Sequence, residues 1–124
     1  MASIFTDGFG GLRTNFYTAN YTAFSSATSV APYVFTILQA QADKFFIQNY
    51  TNAILVVLLT CPNPNQGNRP VITTPQQFVQ IQPGTAFNLD NALPTKISVP
   101  AGTTISIYCI GTPTSGGVDL FTAS

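Results

Sequence analysis

The chain reads as an all-β protein: a single antiparallel β-sandwich, jelly-roll or Ig-like, with an extended N-terminal arm. Three observations predict this. From Pro32 onward, short β-branched and aromatic runs alternate with turn residues, the pattern of a sandwich or barrel. No stretch sustains a 3.6-residue apolar period, so no convincing helix is expected. Before Pro32 the chain is rich in Ser, Thr, Ala, Asn and Gly with isolated aromatics, and neither a period of two nor of 3.6 holds there. The 124 residues fit one domain, divided into an arm at 1–32 and a sandwich at 33–124.

Each element follows from local chemistry. Tyr33 to Gln39 is a first strand and Phe45 to Asn49 a second, with Asn49-Tyr50-Thr51-Asn52 supplying the turn before Ala53 to Thr60. That third strand is apolar on both faces, so it is either buried between layers or committed to a partner, burial being the default. Cys61 to Pro75 concentrates Pro, Asn and Gly and reads as the longest exposed loop. Gln77 to Gln82 is a strand, Pro83-Gly84 fits the central positions of a type II turn, and Thr85 to Leu89 follows. Asn88-Leu89-Asp90-Asn91 opens a further loop. Thr95 to Val99 and Thr104 to Ile110 flank Pro100-Ala101-Gly102-Thr103 and are expected to form a hairpin. Ile105, Ile107 and Cys109 share one face, which makes Cys109 a core residue. Gly117 to Ala123 is the last strand.

Charge is the chain's most unusual property. It has four basic and four acidic side chains, no Glu and no His, where a soluble domain draws about a quarter of its residues from the charged types. The missing His and Glu argue against an enzyme, since general acid–base work at neutral pH relies on such groups. Net charge is zero and the four basic residues are scattered, which argues against nucleic-acid binding. An uncharged surface dissolves poorly as a free monomer and suits an assembled state. The longest apolar run, Ala53 to Leu59, is far short of the roughly 20 residues that cross a bilayer as a helix, and no membrane partner is expected. No basic cluster precedes an apolar run at the N-terminus, so a secretory signal is not expected.

The candidate chemistry is thin. The aspartates occur singly, so neither a catalytic carboxylate pair nor a metal site is expected, and no cofactor is implied. Asn88, Asp90 and Asn91 form the one cluster with hard-cation chemistry, and Asx residues are equally at home in a turn. The Gly-rich strings Gly8-Phe9-Gly10-Gly11 and Gly111 to Gly117 lack the Lys and following helix of a nucleotide loop. Asn20-Tyr21-Thr22 and Asn49-Tyr50-Thr51 match the glycosylation pattern by chance. Cys61 and Cys109 allow at most one internal disulfide, and the lack of secretory context favours two core thiols. Five tyrosines, Tyr17, Tyr21, Tyr33, Tyr50 and Tyr108, could stack on sugars if gathered on one face. Tyrosine equally anchors protein interfaces. The arm offers Phe5, Phe9, Arg13, Phe16, Tyr17, Tyr21 and Phe24 as partner-binding residues. Extended, about 32 residues would reach on the order of 100 Å; the alternative is a segment wrapped over its own domain.

From Phe45 onward, Ile47-Gln48-Asn49-Tyr50-Thr51-Asn52-Ala53-Ile54-Leu55-Val56, then Ile81-Gln82-Pro83-Gly84, then Thr95-Lys96-Ile97-Ser98-Val99 resemble the segment order of small β-sandwich accessory proteins of tailed-bacteriophage virions. The resemblance spans about two thirds of the chain and rests on turn chemistry. It implies a non-enzymatic capsid cement or decoration subunit, made in the host cytoplasm and placed on the virion's capsid surface. Its partners would be the major capsid protein and itself, as a homotrimer. The alternative is a carbohydrate-binding or host-adhesion module, part of a head fibre, tail or spike, with its site on the Cys61 to Pro75 loop and exposed tyrosines. On the arm reading, deleting residues 2–30 leaves the sandwich folded and abolishes incorporation into particles.

Overall fold

The computed structural model describes residues 14–61, 72–90 and 99–123. Eight strands and one helical turn follow in order: β1 (Thr14–Asn20), α1 (Tyr21–Phe24), β2 (Tyr33–Ile37), β3 (Lys44–Asn49), β4 (Ile54–Cys61), β5 (Ile72–Ile81), β6 (Thr85–Asp90), β7 (Thr104–Ile110) and β8 (Gly117–Ala123). They form two four-stranded sheets, ordered β1-β8-β3-β6 and β2-β7-β4-β5, with every pairing antiparallel. Strands pair first with last, second with seventh, third with sixth and fourth with fifth, and all links except β4–β5 pass between the strand sets of the two sheets. This is the connectivity of a jelly roll, in which a long folded-back ribbon wraps into a sandwich.

Alternation along the strands decides what lies between the sheets. Phe45 and Ile47 of β3 and Val118 and Leu120 of β8 meet Leu55 and Val57 of β4 and Ile105 and Ile107 of β7 in one buried cluster, with Cys109 among them. Phe78 of β5 reaches across to the other sheet, its ring edge-on to both Phe45 (6.0 Å) and Phe87 (5.4 Å). Such T-shaped pairs add about 0.5–1.5 kcal/mol each beyond area burial. On the opposite face of β4, Val56 and Leu58 are also shielded, so this strand is buried on both sides, as its unbroken apolar run predicts.

The polar tie of the sandwich is Asn49, at the end of β3 and wholly buried. Its Nδ2 donates to the carbonyls of Ala53 and Ile81, both at 2.9 Å, and so links the two sheets. Its Oδ1 accepts from the Thr51 backbone N–H (3.0 Å) and hydroxyl (2.6 Å). The Asn49 carbonyl takes the Gly84 N–H at 2.8 Å. Gly84 has φ +73°, the left-handed value that the third position of a Pro-Gly type II turn requires. Asn52 exchanges two hydrogen bonds with Thr114, its Nδ2 donating to the hydroxyl at 2.7 Å and its Oδ1 accepting the N–H at 2.9 Å. The motif residues around Asn49 and around Pro83 therefore meet at one corner, and their chemistry there is architectural.

Several expectations change. The sandwich begins at Thr14 rather than Tyr33: β1 pairs along its whole length with β8, and Phe24 is core. The segment 14–32 is thus part of the wrap and does not reach outward. One helical turn exists, α1, because the Asn20 side chain accepts the Thr22 N–H at 3.1 Å and caps it. The loop after Cys61 is shorter than Cys61 to Pro75, since β5 starts at Ile72 and includes Pro75. Proline is tolerated there because β5 is an edge strand and its register with β4 shifts beside it. Asn88 and Asp90 belong to β6 rather than to a loop. The expected hairpin of 95–99 with 104–110 does not form, because both sides of β7 are taken, by β2 and β4. Val99 instead bridges Ala42; residues 95–98 lie outside the described residues.

Cys61 and Cys109 sit at opposite ends of the β4–β7 pair. Cys109 lies across from Leu55, and Cys61 is six steps along β4 from Leu55, about 20 Å at the usual rise. A disulfide needs Cα atoms within about 7 Å, so the two are not joined to each other.

Candidate docking face

The outer face of the first sheet carries a row of phenylalanines. Phe16 of β1 is opposite Phe121 of β8, which is opposite Phe46 of β3, and the three are 55%, 40% and 38% exposed. Their neighbours along each strand, Tyr17, Leu120, Phe45 and Ile47, point into the core. Strict alternation then forces the phenylalanines outward. Across three strands about 4.8 Å apart the row runs on the order of 10 Å. Taking about 200 Å² per ring, it offers about 270 Å² of apolar surface to a partner. Complete coverage would be worth about 7 kcal/mol at 25 cal/mol per Å². That is about a third of the roughly 800 Å² each side of a standard interface buries, a fitting size for its apolar centre.

The surroundings are polar, with a charge of each sign, Asp119 on one side of the row and Lys44 on the other. The next row is Thr18, Asp119 and Gln48. Asp119 accepts from the Thr18 hydroxyl at 2.7 Å and from the Tyr50 hydroxyl at 3.2 Å, so the carboxylate is held within its sheet. Tyr50 lies over the tight approach of β8, where a Cβ on Gly117 would run into the Ala19 carbonyl. Lys44 lies on the far side of the row, two residues before Phe46. The exposed apolar residues of the other sheet, Val34, Ile37 and Ile110, make no comparable row: Val34 faces Ser106 and Ile37 faces Thr104.

Of the described residues expected to bind a partner, only Phe16 lies on this face. Tyr17 points inward and packs against the core, where burial pushes its phenol pKa up. Tyr21, on α1, also packs against the core, and Phe24 is fully buried with its ring 6.2 Å from that of Tyr33. Phe5, Phe9 and Arg13 lie outside the described residues. Phe46 and Phe121 are the additions. Their signal in the sequence is adjacency: Phe45-Phe46 and Leu120-Phe121 are paired bulky residues in strands, so one of each pair must face out.

The tyrosines do not gather on one face. Tyr17, Tyr21 and Tyr33 pack on the core, Tyr50 is at the end of the first sheet, and Tyr108 belongs to the second. A shallow groove of about 370 Å³ opens beside Tyr108, lined by the Ser25–Ser29 segment, Cys109 and Thr112. Burial pushes the Cys109 thiol pKa up, partly offset by its hydrogen bond with the Thr51 side chain. Among the described residues no three His, Cys, Asp or Glu side chains come together as a metal cage, and no described helix is long and apolar enough to cross a membrane. Of the two glycosylation patterns, Asn49 is occupied inside the fold and Asn20 caps α1. Comparison with protein-family models, curated proteins and solved structures finds no match to this chain.

Proposed function

We propose that the protein is a non-enzymatic structural subunit of a virion, a capsid cement or decoration protein that docks on the major capsid protein through the outer face of its first sheet. The observation that carries this reading is the register-aligned row Phe16–Phe121–Phe46 exposed on the outer face of the first sheet. Rings at the centre of an interface supply most of its energy when a polar rim excludes water around them. Thr18, Gln48 and the internally satisfied Asp119 provide such a rim. A subunit repeated across a shell needs little affinity per copy, because identical weak contacts reinforce one another. Jelly rolls serve capsid and lectin domains alike, so the assignment rests on the face and on the resemblance of the corner motifs, not on the fold.

The test uses particles assembled without this chain, to which purified protein is added back and cosedimented. The double variant Phe46→Ser/Phe121→Ser should fold as the parent does by circular dichroism and lose at least about tenfold in particle binding, one to two kcal/mol being a modest share of the row's burial. Parent-like binding by the folded double variant would refute the docking face. Absence of binding by the parent would refute the capsid partner.

A further inference from the structure

We propose that two copies of this chain pair through their β1 edges, antiparallel and about a twofold axis. The two first sheets would join into one continuous sheet of eight strands, four from each copy. This goes beyond the docking reading, since it concerns a contact of the protein with itself and stands or falls on the isolated chain.

The argument begins with the backbone. The Tyr21 N–H donates to the Gly116 carbonyl at 2.9 Å, in step with the register Ala19↔Val118, Tyr17↔Leu120 and Asn15↔Thr122. In an antiparallel pair hydrogen-bonded and non-hydrogen-bonded residues alternate. Asn15, Tyr17 and Ala19 therefore bond to β8, and Thr14, Phe16 and Thr18 turn their N–H and C=O groups to the open side, as Asn20 does its N–H, its carbonyl being taken by the first turn of α1. Among the described residues no strand lies on that side.

Open edges are ordinarily guarded by charge, proline or bulges. The other three edges of this sandwich are: β5 has Pro75 and two register shifts, β2 has a shift between Val34 and Thr36, and β6 ends in Asp90. β1 keeps one register throughout and contains neither charge nor proline. The chain has no charged residue between Arg13 and Asp43.

The occupant that fits is a second β1. Full antiparallel overlap places Tyr17 opposite Tyr17 of the other copy, and the same register sets Phe16 against Thr18 and Thr14 against Asn20. The open backbone groups of Phe16 and Thr18, the Thr14 carbonyl and the Asn20 N–H of both copies are then satisfied, by about six hydrogen bonds. No like charges meet, because the strand has none. The two Phe16 side chains become diagonal neighbours, within reach of each other. The row of one copy thus continues into the row of the other as a single aromatic band, Phe46–Phe121–Phe16 followed by its mirror in sequence. A twofold edge pairing makes a dimer and does not close a trimer.

The experiment measures mass and amide exchange on the full chain. Sedimentation across a dilution series should show a monomer–dimer equilibrium. Hydrogen exchange of the Phe16 and Thr18 amides should slow as the dimer fills, while those of Tyr17 and Ala19 are protected at every concentration. Thr18→Pro removes an N–H that serves only the open side, and should weaken dimerisation at least about tenfold. Thr18→Val keeps that N–H and should dimerise as the parent does. If Thr18→Pro does not fold, the exchange pattern of the parent still decides. A monomer at all concentrations, a trimer, or a dimer in which Phe16 and Thr18 exchange freely would overturn the proposal.

Discussion

Asn49 gives the sharpest test of what holds this sandwich together. Replacing it by aspartate changes one NH2 group to an oxygen and almost nothing in volume. The Asn49 Nδ2 donates to two carbonyls, of Ala53 and Ile81, at 2.9 Å each. An ionised carboxylate in its place has no donor, so the oxygen replacing Nδ2 would face both carbonyl oxygens inside a site with no solvent exposure, while the other oxygen keeps its Thr51 donors. Burial and those carbonyls both disfavour the charge, so the folded-state pKa of the introduced carboxyl is raised above its unfolded value of about 3.9. A raised carboxyl pKa means stability that is whole below the unfolded pKa and drains away as pH rises through the folded one. Below about pH 4 the protonated acid can still donate to one carbonyl, and the loss is that of one orphaned acceptor, about 1–3 kcal/mol. Each pKa unit of upward shift then adds about 1.4 kcal/mol at neutral pH, and full burial moves carboxyls by up to about 3–5 units. The total near pH 7 is about 5 kcal/mol or more, comparable to the whole stability of a small domain.

The assay is urea unfolding followed by far-ultraviolet circular dichroism, parent and Asn49→Asp side by side from pH 3 to pH 8. The difference between the two at each pH removes the contributions of the other carboxyls. Asn49→Ala should lose about 2–4 kcal/mol with no pH trend, because it leaves acceptors and donors unpaired but adds no titrating group. An Asn49→Asp deficit that stays flat with pH, or falls below about 0.5 kcal/mol at pH 7, would show that this amide does not tie the sheets.

Two further outcomes follow from the same packing. The Thr103 hydroxyl is buried and has no hydrogen-bond partner among the described residues, so Thr103→Val should hold or raise stability, by up to about 1 kcal/mol in the same urea assay; a loss above about 1 kcal/mol would mean the hydroxyl is bonded. Deleting residues 2–30 removes β1 and the buried Phe24 ring, and the truncated chain should fail to fold, seen as loss of the β-sheet circular dichroism; a cooperative, parent-like unfolding transition would mean that β1 is dispensable.

The deletion shows where sequence reasoning reached and where it stopped. Strands β3, β4, β7 and β8 were legible because each buries alternate apolar residues or is apolar throughout, and the Pro83-Gly84 turn, which leads into β6, announced itself by its own backbone requirements. β1 was not. Its inward residues are Asn15, Tyr17 and Ala19 and its outward ones include Phe16, so polarity does not alternate even though the side chains do. A strand whose outer face carries an exposed phenylalanine looks like an irregular segment until its register with β8 is known. The hairpin before β7 failed for the complementary reason. Pro100 to Thr103 does make a turn, closed by the Thr103 N–H to the Pro100 carbonyl, but a turn fixes a change of direction and not the neighbour that the next strand takes.

The same register explains why the candidate face was only half visible. Phe16, Phe46 and Phe121 are spread over more than a hundred residues of sequence, and each alone is an unremarked aromatic in a strand. Only the pairings of β8 with β1 on one side and β3 on the other bring them into a line. Burying all three would have cost nothing in local propensity, since aromatic residues favour strands on either face. Exposing them carries a solubility cost that a chain with so little charge is poorly placed to offset. On the docking reading proposed above, the scarcity of charge and the outward phenylalanines belong together, with the uncharged edge of β1 at the end of the row where cover from a second copy would begin.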